Sequence, residues 1–446
     1  MNKNDQELLQ KASQPAEEAL KLHPFYKGKI EVVPKCCIRD LNDFAIWYTP
    51  GVAAPCKDIH LHPEQVFEHT ARSNLIAVVS DGSRVLGLGD IGPKAGLPVM
   101  EGKAILFKYL GGVDAVPLCI DAHSAEDIVK FVKMIQPTFG GINLEDISSP
   151  KCFTVLDTLR AEAQIPVWHD DQQGTAAVTL AGLINALKIV KKPIDKVKIG
   201  MLGAGAANQR IAIMLAEAGA TPDNIFMCDL NGIVHKGRAD LAQDPWLNRL
   251  AQITNGEQRK GGPAEAFAGV DVMIALSAPG PGTVKPEWIK AMNTDAIVFV
   301  CANPVPEIWP WEAKRSGARI VATGRSDFAN QVNNSLGFPG IFRGALDVRA
   351  QTITDDMCIA AARELAKVAE DQGLREDRLI PTMDTWEVFP REAVAVGQKA
   401  IEQGIADIKM TAAEAFEIAA FQIKRARAEM DMRQREGFIR MPPEGR

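Results

Sequence analysis

The stretch Lys196-Val-Lys-Ile-Gly-Met-Leu-Gly-Ala-Gly-Ala-Ala-Asn208 decides the fold. A β-rich run enters a turn of small residues, and a helical run from Gln209 to Gly219 follows the turn. Small residues let the backbone approach a pyrophosphate closely, while the start of the helix offers amide donors and the positive end of its dipole. The pattern predicts that a dinucleotide contacts the small residues of this turn, namely Gly203, Ala204, Gly205, Ala206 and Ala207.

The next β-rich run ends at Asp229, at about the distance from the turn where an acid that binds the ribose is expected. Its charge favours NAD, because a carboxylate repels the 2′-phosphate of NADP. Lys236 and Arg238 follow closely enough to offset this repulsion, so the sequence leaves NAD and NADP open. Asn208 stands where Gly or Ala is usual, and we therefore expect the helix to lie slightly further from the sheet.

The rest of the chain indicates an α/β protein. Strands are predicted at 75–79, 165–168, 197–202, 225–228, 272–276, 296–300 and 320–322, and helices at 1–22, 126–135, 156–163 and 175–190. Strands that alternate with helices predict a parallel sheet. A chain of 446 residues exceeds one ordinary core. We predict an N-terminal α/β substrate and metal domain (1–166), a Rossmann-type domain with a doubly wound parallel sheet (167–354), and a C-terminal helical segment that packs back on both (355–446).

Composition excludes several classes of function. Apolar residues make up 46% and charged residues 24%, as in globular proteins, and the net charge of -6 gives no electrostatic basis for binding nucleic acid or an anionic membrane. The first ten residues lack the apolar segment of a signal peptide. The eight cysteines form no C-x-x-C pair, which favours reduced thiols. We therefore expect a cytoplasmic protein that binds neither nucleic acid nor membrane.

Two pairs of adjacent acids are candidate metal ligands. Glu145 and Asp146 follow a Gly-Gly turn, and Asp170 and Asp171 follow a short predicted strand. Carboxylate oxygens in this number suit Mg²⁺ or Mn²⁺ better than Zn²⁺. Acid pairs at helix starts are also common as caps, so the pairs alone leave both interpretations open. We interpret the adjacent His169 as structural or as a neighbour of the ligands.

Further segments make the pattern specific. Trp47-Tyr48-Thr-Pro-Gly-Val-Ala places a tyrosine in a proline-glycine turn, a glycine-rich loop runs from Asp81 to Gly92, and Leu97-Pro-Val-Met-Glu-Gly-Lys103-Ala places a lysine at the apparent start of a helix. The segments YTPGVA, VLGLGDIG, GLPVMEGKA, NLEDI, HDDQQGTA, GAGAA, ANPVPEI and NNSLGFPG occur in this order. Together they resemble those of malic enzymes, especially the short bacterial type.

The resemblance implies two main domains with the active site in the cleft between them. It implies oxidation and decarboxylation of L-malate to pyruvate and CO₂, with reduction of NAD or NADP and dependence on Mg²⁺ or Mn²⁺. It also implies a homo-oligomer, a dimer or larger. The implied roles are metal ligands (Glu145, Asp146 and Asp171), general base (Lys103), general acid (Tyr48), and a neighbour that either supports the ligands or holds the lysine (Asp170).

The substrate contacts are less determined. Arg84 precedes the VLGLGD stretch, where certain larger malic enzymes have an arginine that binds substrate, and Lys94 is an alternative. Asn303 and Asn334 match amides that hold malate or the nicotinamide ribose, with Asn333 adjacent. A lysine that acts as a base needs a pKa below its ordinary value of about 10.4, which a nearby metal ion favours.

Three other functions stay open. A malolactic reaction would keep the cofactor bound and release lactate. A dinucleotide-binding sensor would have no turnover, although every residue of the implied site is present. A hydroxy-acid dehydrogenase would oxidise without decarboxylation and would not need the tyrosine acid. The preferred metal, the effectors and the physiological direction are not encoded in these motifs.

Overall fold

The protein is described by a computed structural model, which covers the backbone of residues 3–443 and the side chains of residues 14–443. The first sheet has four parallel strands in the order β2-β1-β3-β4. The strands are β1 (Leu75–Ser80), β2 (Asp114–Cys119), β3 (Gly141–Leu144) and β4 (Val167–His169). The strands predicted at 75–79 and 165–168 are confirmed as β1 and β4, and the sequence analysis missed β2 and β3.

The second sheet has the order β10-β9-β8-β5-β6-β7 and is parallel except for β7. Its strands are β5 (Ile199–Leu202), β6 (Ile225–Asp229), β7 (Gly232–Ile233), β8 (Val272–Ala275), β9 (Ala296–Val300) and β10 (Ala318–Thr323). The five strands predicted between residues 197 and 322 are confirmed as β5, β6, β8, β9 and β10. The strand order reverses between β5 and β8, and dinucleotides bind at such a switch point in doubly wound sheets.

Helices surround both sheets. In chain order they are α1 (Lys3–Tyr26), α2 (Phe44–Trp47), α3 (Ala53–Leu61), α4 (Val66–His69), α5 (Gly92–Gly111), α6 (Ala125–Ile135), α7 (Lys151–Glu162), α8 (Thr175–Val190), α9 (Ala206–Glu217), α10 (Pro245–Ile253), α11 (Pro263–Phe267), α12 (Pro286–Lys290), α13 (Pro310–Arg315), α14 (Phe338–Asp347), α15 (Asp355–Asp371), α16 (Val388–Glu402) and α17 (Ala412–Arg435). The helices predicted around 126–135, 156–163 and 175–190 are confirmed as α6, α7 and α8.

One core joins the two sheets. Ile76 of β1 and Ile199 of β5 belong to the same buried cluster, which also includes most of α8 and the apolar faces of α14 and α15. The stretch Asp170–Val190 is apolar and long enough to cross a membrane by composition, but 78% of its most apolar window is buried inside the protein. Its apolar character is therefore explained by its place in the core.

The C-terminal helices contact both parts of the molecule, since α15 packs on α8 and α17 packs on α5. The predicted boundary after residue 166 lies just before β4, although β4 pairs with β3 of the first sheet. The division into three parts otherwise stays a prediction.

Candidate active site

The acids meet at the carboxyl edge of the first sheet. Glu145 and Asp146 follow β3, and Asp171 lies in a π-helical turn, Asp170–Gly174, directly after β4. Because β3 and β4 are parallel neighbours, their carboxyl ends lie side by side. One carboxylate oxygen each from Glu145, Asp146 and Asp171 lies within 4.8 Å of the other two. The structure thus brings together the three residues predicted as metal ligands.

The backbone of Asp146 is in the left-handed region, with φ 55°. Its N–H donates to Asp171 Oδ2 at 2.8 Å, and its carbonyl accepts the Arg84 N–H at 3.0 Å. Its Oδ1 accepts the Leu86 N–H at 3.3 Å. The other carboxylate oxygen, Oδ2, is buried without a hydrogen-bond partner in the described structure. This conformation ties two loops together and leaves one oxygen available for a ligand.

The charge of the cluster fits a divalent cation. Burial, together with the charge of Asp171, raises the pKa of Asp146 to about 7. Burial also raises the pKa of Glu145 well above its usual range, although Lys103 opposes this shift. Buried carboxylates in contact need a positive charge, and an all-oxygen donor set suits Mg²⁺ or Mn²⁺. His169 is fully buried, and burial lowers its pKa to about 3, so the ring is neutral.

Lys103 lies in the interior of α5, and the prediction that it starts a helix is wrong. It is 7% exposed, and its Nζ lies 2.6 Å from Asp170 Oδ2 and 2.9 Å from Glu145 Oε1. The ammonium also lies 4.3 Å from the centre of the Phe338 ring. Burial lowers the pKa of Lys103, but the charges of Asp170 and Glu145 outweigh it and the net shift is upward. The lowering that a base requires, expected beside a metal ion, stays a prediction.

Asp170 holds the lysine. One of its oxygens accepts from Lys103, and the other accepts the Trp168 Nε1–H at 3.3 Å. A Cβ atom on Gly174 would lie 1.9 Å from Asp170 Oδ1, so this position has room only for glycine. Of the two roles left open for Asp170, the structure supports contact with the lysine. Sequence reasoning missed Trp168 and Gly174, although both lie in or beside the HDDQQGTA segment.

A second pair of loops is joined beside the acids. Asp81, which follows β1, forms a buried ion pair with Lys151 at the start of α7. Asp81 Oδ1 also accepts the Ser83 hydroxyl at 2.7 Å, and Ser83 Oγ accepts the Ser148 N–H at 2.9 Å. These bonds fix the loop after β1 against the loop that carries the predicted ligands. The sequence analysis missed this contact because the partners are far apart in the chain.

Arg84 and Lys94 are both exposed. The charge of Arg84 lowers the pKa of Asp171, whereas burial raises it more strongly. Arg84 is therefore close enough to act on the cluster electrostatically, and its side chain is free to turn towards a bound anion.

The structure does not bring Tyr48 to the acid cluster. The residue lies at the end of α2, 71% exposed, and no described hydrogen bond joins it to Lys103 or Asp170. It belongs to residues 27–62, here termed the N-terminal arm. Within this arm many large apolar side chains are exposed: Val32, Val33, Ile38, Leu41, Phe44, Ile46, Trp47 and Leu61. Such a concentration of apolar surface is typical of a protein interface.

The glycine turn lies at the switch point between β5 and β8. Gly203 has φ 96°, and a Cβ atom there would lie 2.5 Å from the carbonyl oxygen of Leu276. Gly205 immediately precedes α9, and nothing lies within 4 Å of a Cβ placed on it. Asn208 is buried, and its side-chain amide donates to the carbonyls of Leu202 and Gly203 at 2.8 and 2.9 Å. The turn is therefore held by the residue that departs from the usual pattern.

Asp229 and Arg238 form a direct ion pair. Both oxygens of Asp229 lie 2.8 Å from the guanidinium, which also pairs with Asp240 and donates to the Gly232 carbonyl. Lys236 is exposed. The two residues whose charges pointed to different cofactors thus neutralise each other.

Two amides follow the strands of the second sheet. The Asn303 side chain lies over Gly324, where a Cβ atom would come 3.1 Å from Nδ2. Asn333 Oδ1 accepts the Ser335 N–H at 3.0 Å, and its Nδ2 donates to the Gly324 carbonyl at 3.3 Å. Asn333 is thus a structural cap, which favours Asn334 as the residue available to a ligand.

These observations define a class. A glycine turn at the switch point of a doubly wound sheet indicates a dinucleotide-dependent enzyme, and the buried lysine beside three carboxylates indicates acid–base chemistry next to a hard cation. Family models agree: that of the malic enzyme NAD binding domain matches residues 172–401, and that of the malic enzyme N-terminal domain matches residues 27–127. The chain belongs to the malic enzyme family.

Similar proteins cover most of the chain. The bifunctional malic/malolactic enzyme of Bacillus subtilis (strain 168) is 46% identical over 90% of this chain and 97% of its own length. The NAD-dependent malic enzyme of Geobacillus stearothermophilus is 48% identical over 85% of this chain and 78% of its own length. The crystal structure of Entamoeba histolytica malic enzyme is 49% identical, with a TM-score of 0.96, and covers 99% of this chain and 93% of that chain. NADP-dependent malic enzymes are also among the relatives.

Proposed function

We propose that this protein converts L-malate to pyruvate and CO₂ with reduction of NAD or NADP, and that the reaction depends on Mg²⁺ or Mn²⁺. The observation that carries the proposal is the contact of buried Lys103 with Asp170 and Glu145, at the edge where the three predicted ligands meet. This arrangement pairs a base with a cation site, as oxidation of an alcohol followed by loss of CO₂ requires.

Lys103 is the proposed base for the first step. It takes the proton of the C2 hydroxyl while hydride leaves C2, and Asp170 keeps the amine aligned. Glu145, Asp146 and Asp171 would hold a divalent cation, which would supply polarisation of the C2 oxygen. Lys103 would then share Glu145 with the cation, and its pKa would be lower. The nicotinamide would accept the hydride. Loss of CO₂ from oxaloacetate then leaves enolpyruvate, which needs a proton at C3.

Tyr48 is the proposed donor of that proton, and we propose that it comes from a second copy of the chain. Within one chain Tyr48 is exposed on the N-terminal arm, whereas Lys103 is buried. Exposed apolar residues such as Phe44, Ile46 and Trp47 flank the tyrosine and would be buried against a second copy. The oligomer is therefore a dimer or a larger assembly in which the arm completes the site of its neighbour.

The remaining groups are proposed to hold the substrate and cofactor. Arg84 carries a guanidinium that grips a malate carboxylate with two hydrogen bonds, and Lys94 is the alternative. Asn303 and Asn334 hold malate or the nicotinamide ribose. The turn from Gly203 to Ala207 binds the pyrophosphate, and Asp229 binds the adenosine ribose.

The eight cysteines form no disulfide among the described residues, which supports a reducing, cytoplasmic location.

The reaction is tested with purified protein, L-malate and MnCl₂, with NAD and NADP in separate assays. We expect cofactor reduction that needs the metal and is matched one-to-one by pyruvate. Chelation with EDTA should abolish the rate, and restored Mn²⁺ should return it. Cofactor reduction without pyruvate would instead indicate a hydroxy-acid dehydrogenase. No turnover with any product would contradict the proposed function.

A malolactic reaction is the second candidate, because a relative with 46% identity is named a bifunctional malic/malolactic enzyme. The same lysine and tyrosine would act, but the hydride would return to C2 of pyruvate before release. Lactate would then form without net reduction of the cofactor. Assaying lactate and reduced cofactor in the same reaction mixture separates the two outcomes.

A further inference from the structure

Glu307 is a fully buried acid between two loops of the dinucleotide domain. One carboxylate oxygen accepts the Ser277 N–H at 2.9 Å, and the other accepts the Ala302 N–H at 3.1 Å. Ser277 lies just beyond β8, and Ala302 just beyond β9. The side chain therefore bonds to two neighbouring loops at once, with one oxygen for each.

The backbone of Glu307 strengthens the same link. Its carbonyl oxygen accepts the N–H groups of Gly282 and Val284, each at 3.1 Å. The carbonyl of Val305, two residues earlier, accepts the Gly280 N–H at 3.2 Å. The loop of residues 276–284 is thus bonded along its length to the loop of residues 301–307. We call these two segments the β8 loop and the β9 loop.

Both loops lie where the reacting end of a dinucleotide is expected. The β8 loop begins at Leu276, whose carbonyl oxygen faces the glycine turn at Gly203. The β9 loop carries Asn303, a predicted ligand of substrate or ribose. Ligands of doubly wound sheets bind outside the carboxyl ends of the strands at the switch point. The spacing of the two loops therefore sets the width of the cleft at this end.

The substrate domain contacts both loops through one glycine. A Cβ atom on Gly87, in the glycine-rich loop after β1, would lie 2.3 Å from the Asn303 carbonyl oxygen. It would also lie 3.1 Å from Pro279 and 3.2 Å from Pro304. Gly87 thus fits into the junction of the β8 and β9 loops, the two loops that the hydrogen bonds of Glu307 join.

We propose that Glu307 is a positioning residue that sets the spacing of the β8 and β9 loops, and so places the nicotinamide end of the cofactor against the substrate domain. The inference rests on the proposed function. Only a carboxylate offers two acceptor oxygens for two N–H donors at this place. A glutamine keeps one oxygen and turns an amide N–H₂ towards the other donor, so one loop loses its bond.

The test compares Glu307→Gln with Glu392→Gln as a matched control. Glu392 is equally buried but lies on α16 against α14, and neither of its carboxylate oxygens has a hydrogen-bond partner in the described structure. We measure the Kd of NADH by fluorescence titration without malate or metal, and the dinucleotide KM and kcat in the full reaction. We expect E307Q to raise the NADH Kd and the dinucleotide KM by at least about tenfold, the effect of one lost hydrogen bond in a buried site. E392Q should leave both within about twofold.

Gly87→Ala provides a second variant on the opposite side of the same junction. It changes no buried acid and should also raise the dinucleotide KM, because the new methyl group displaces the β9 loop. An NADH Kd and a dinucleotide KM that stay at wild-type values in E307Q and G87A would overturn the inference, as would an equal rise in E392Q. Wild-type protein that binds NADH but does not turn over malate would count against the proposed function alone.

Discussion

The copy of the chain that supplies Tyr48 can be identified by inactivating two residues in different copies. Tyr48→Phe removes only the hydroxyl of the proposed proton donor. Asp171→Asn removes one ligand charge but keeps an oxygen that can accept the Asp146 N–H, so the local fold should persist. We expect Y48F alone to lose activity by about 10²- to 10⁴-fold, the range for loss of an acid–base group. D171N alone should lose most of the activity, because one of the three predicted metal ligands loses its charge.

The expected activity of a hybrid follows from counting sites. In a two-fold dimer with exchanged arms, one site of a Y48F/D171N hybrid receives both changes and the other receives neither. The hybrid should therefore retain about half of the wild-type rate per dimer. If the tyrosine instead served its own chain, each site would carry one defect and the hybrid would be as inactive as its parents.

The hybrid is made by co-expression of the two variants with different affinity tags and purified on both resins in succession. Malate-dependent cofactor reduction is then compared with that of wild-type dimers and of a wild-type/Y48F hybrid, which should show about half the rate under either model. A Y48F/D171N hybrid below a few per cent of the wild-type rate would refute the exchanged arm. A monomer by light scattering, with full activity, would refute it as well.

Three other changes give separate outcomes. Gly203→Ala should weaken NADH binding more than about tenfold in fluorescence titration, because a positive φ and a nearby carbonyl oppose the side chain; unchanged affinity would contradict this. Gly174→Ala should push Asp170 away from Lys103, lowering kcat with little change in the dinucleotide KM; an unaltered kcat would count against the role of Asp170. Burial raises the pKa of Glu392, so the folded state keeps a proton that the unfolded state releases above about pH 4.5. Stability then falls by up to about 1.4 kcal/mol per pH unit as the pH rises, and Glu392→Gln should remove this loss. The gain in unfolding temperature should grow as the pH rises above about 4.5, and a constant difference would argue against it.

Five strands of the second sheet could be predicted because each contains a short apolar run. Strands buried on both faces, such as Val272–Ala275 and Ala296–Val300, have no alternation and stand out from their surroundings. In the first sheet β2 is only partly buried and contains Pro117, while β3 has four residues with a glycine and an asparagine. These two strands are specified by their neighbours in the sheet, which a local pattern does not record.

The acids of the site were predicted as a set, but the position of Lys103 was not. Pro98 and Gly102 lie just before the lysine and suggested that a helix begins there. The helix runs through both residues because buried Met100, Ala104 and Phe107 recur at helical spacing and pack into the core. Tertiary packing therefore outweighs the local signal, and it buries the lysine instead of exposing it.

Cofactor choice shows most clearly where sequence reasoning stops. In the sequence, the negative charge of Asp229 favours NAD, whereas the positive charges of Lys236 and Arg238 favour NADP. The structure shows that Arg238 is bonded to both oxygens of Asp229, so neither charge faces a ribose alone. In the proposed site a 2′-phosphate would have to draw the guanidinium away from the carboxylate, whereas a 2′-hydroxyl would bond to the carboxylate with the pair intact. In the proposed site the choice thus depends on how firmly Asp229 and Asp240 hold Arg238, which no count of charges along the chain contains.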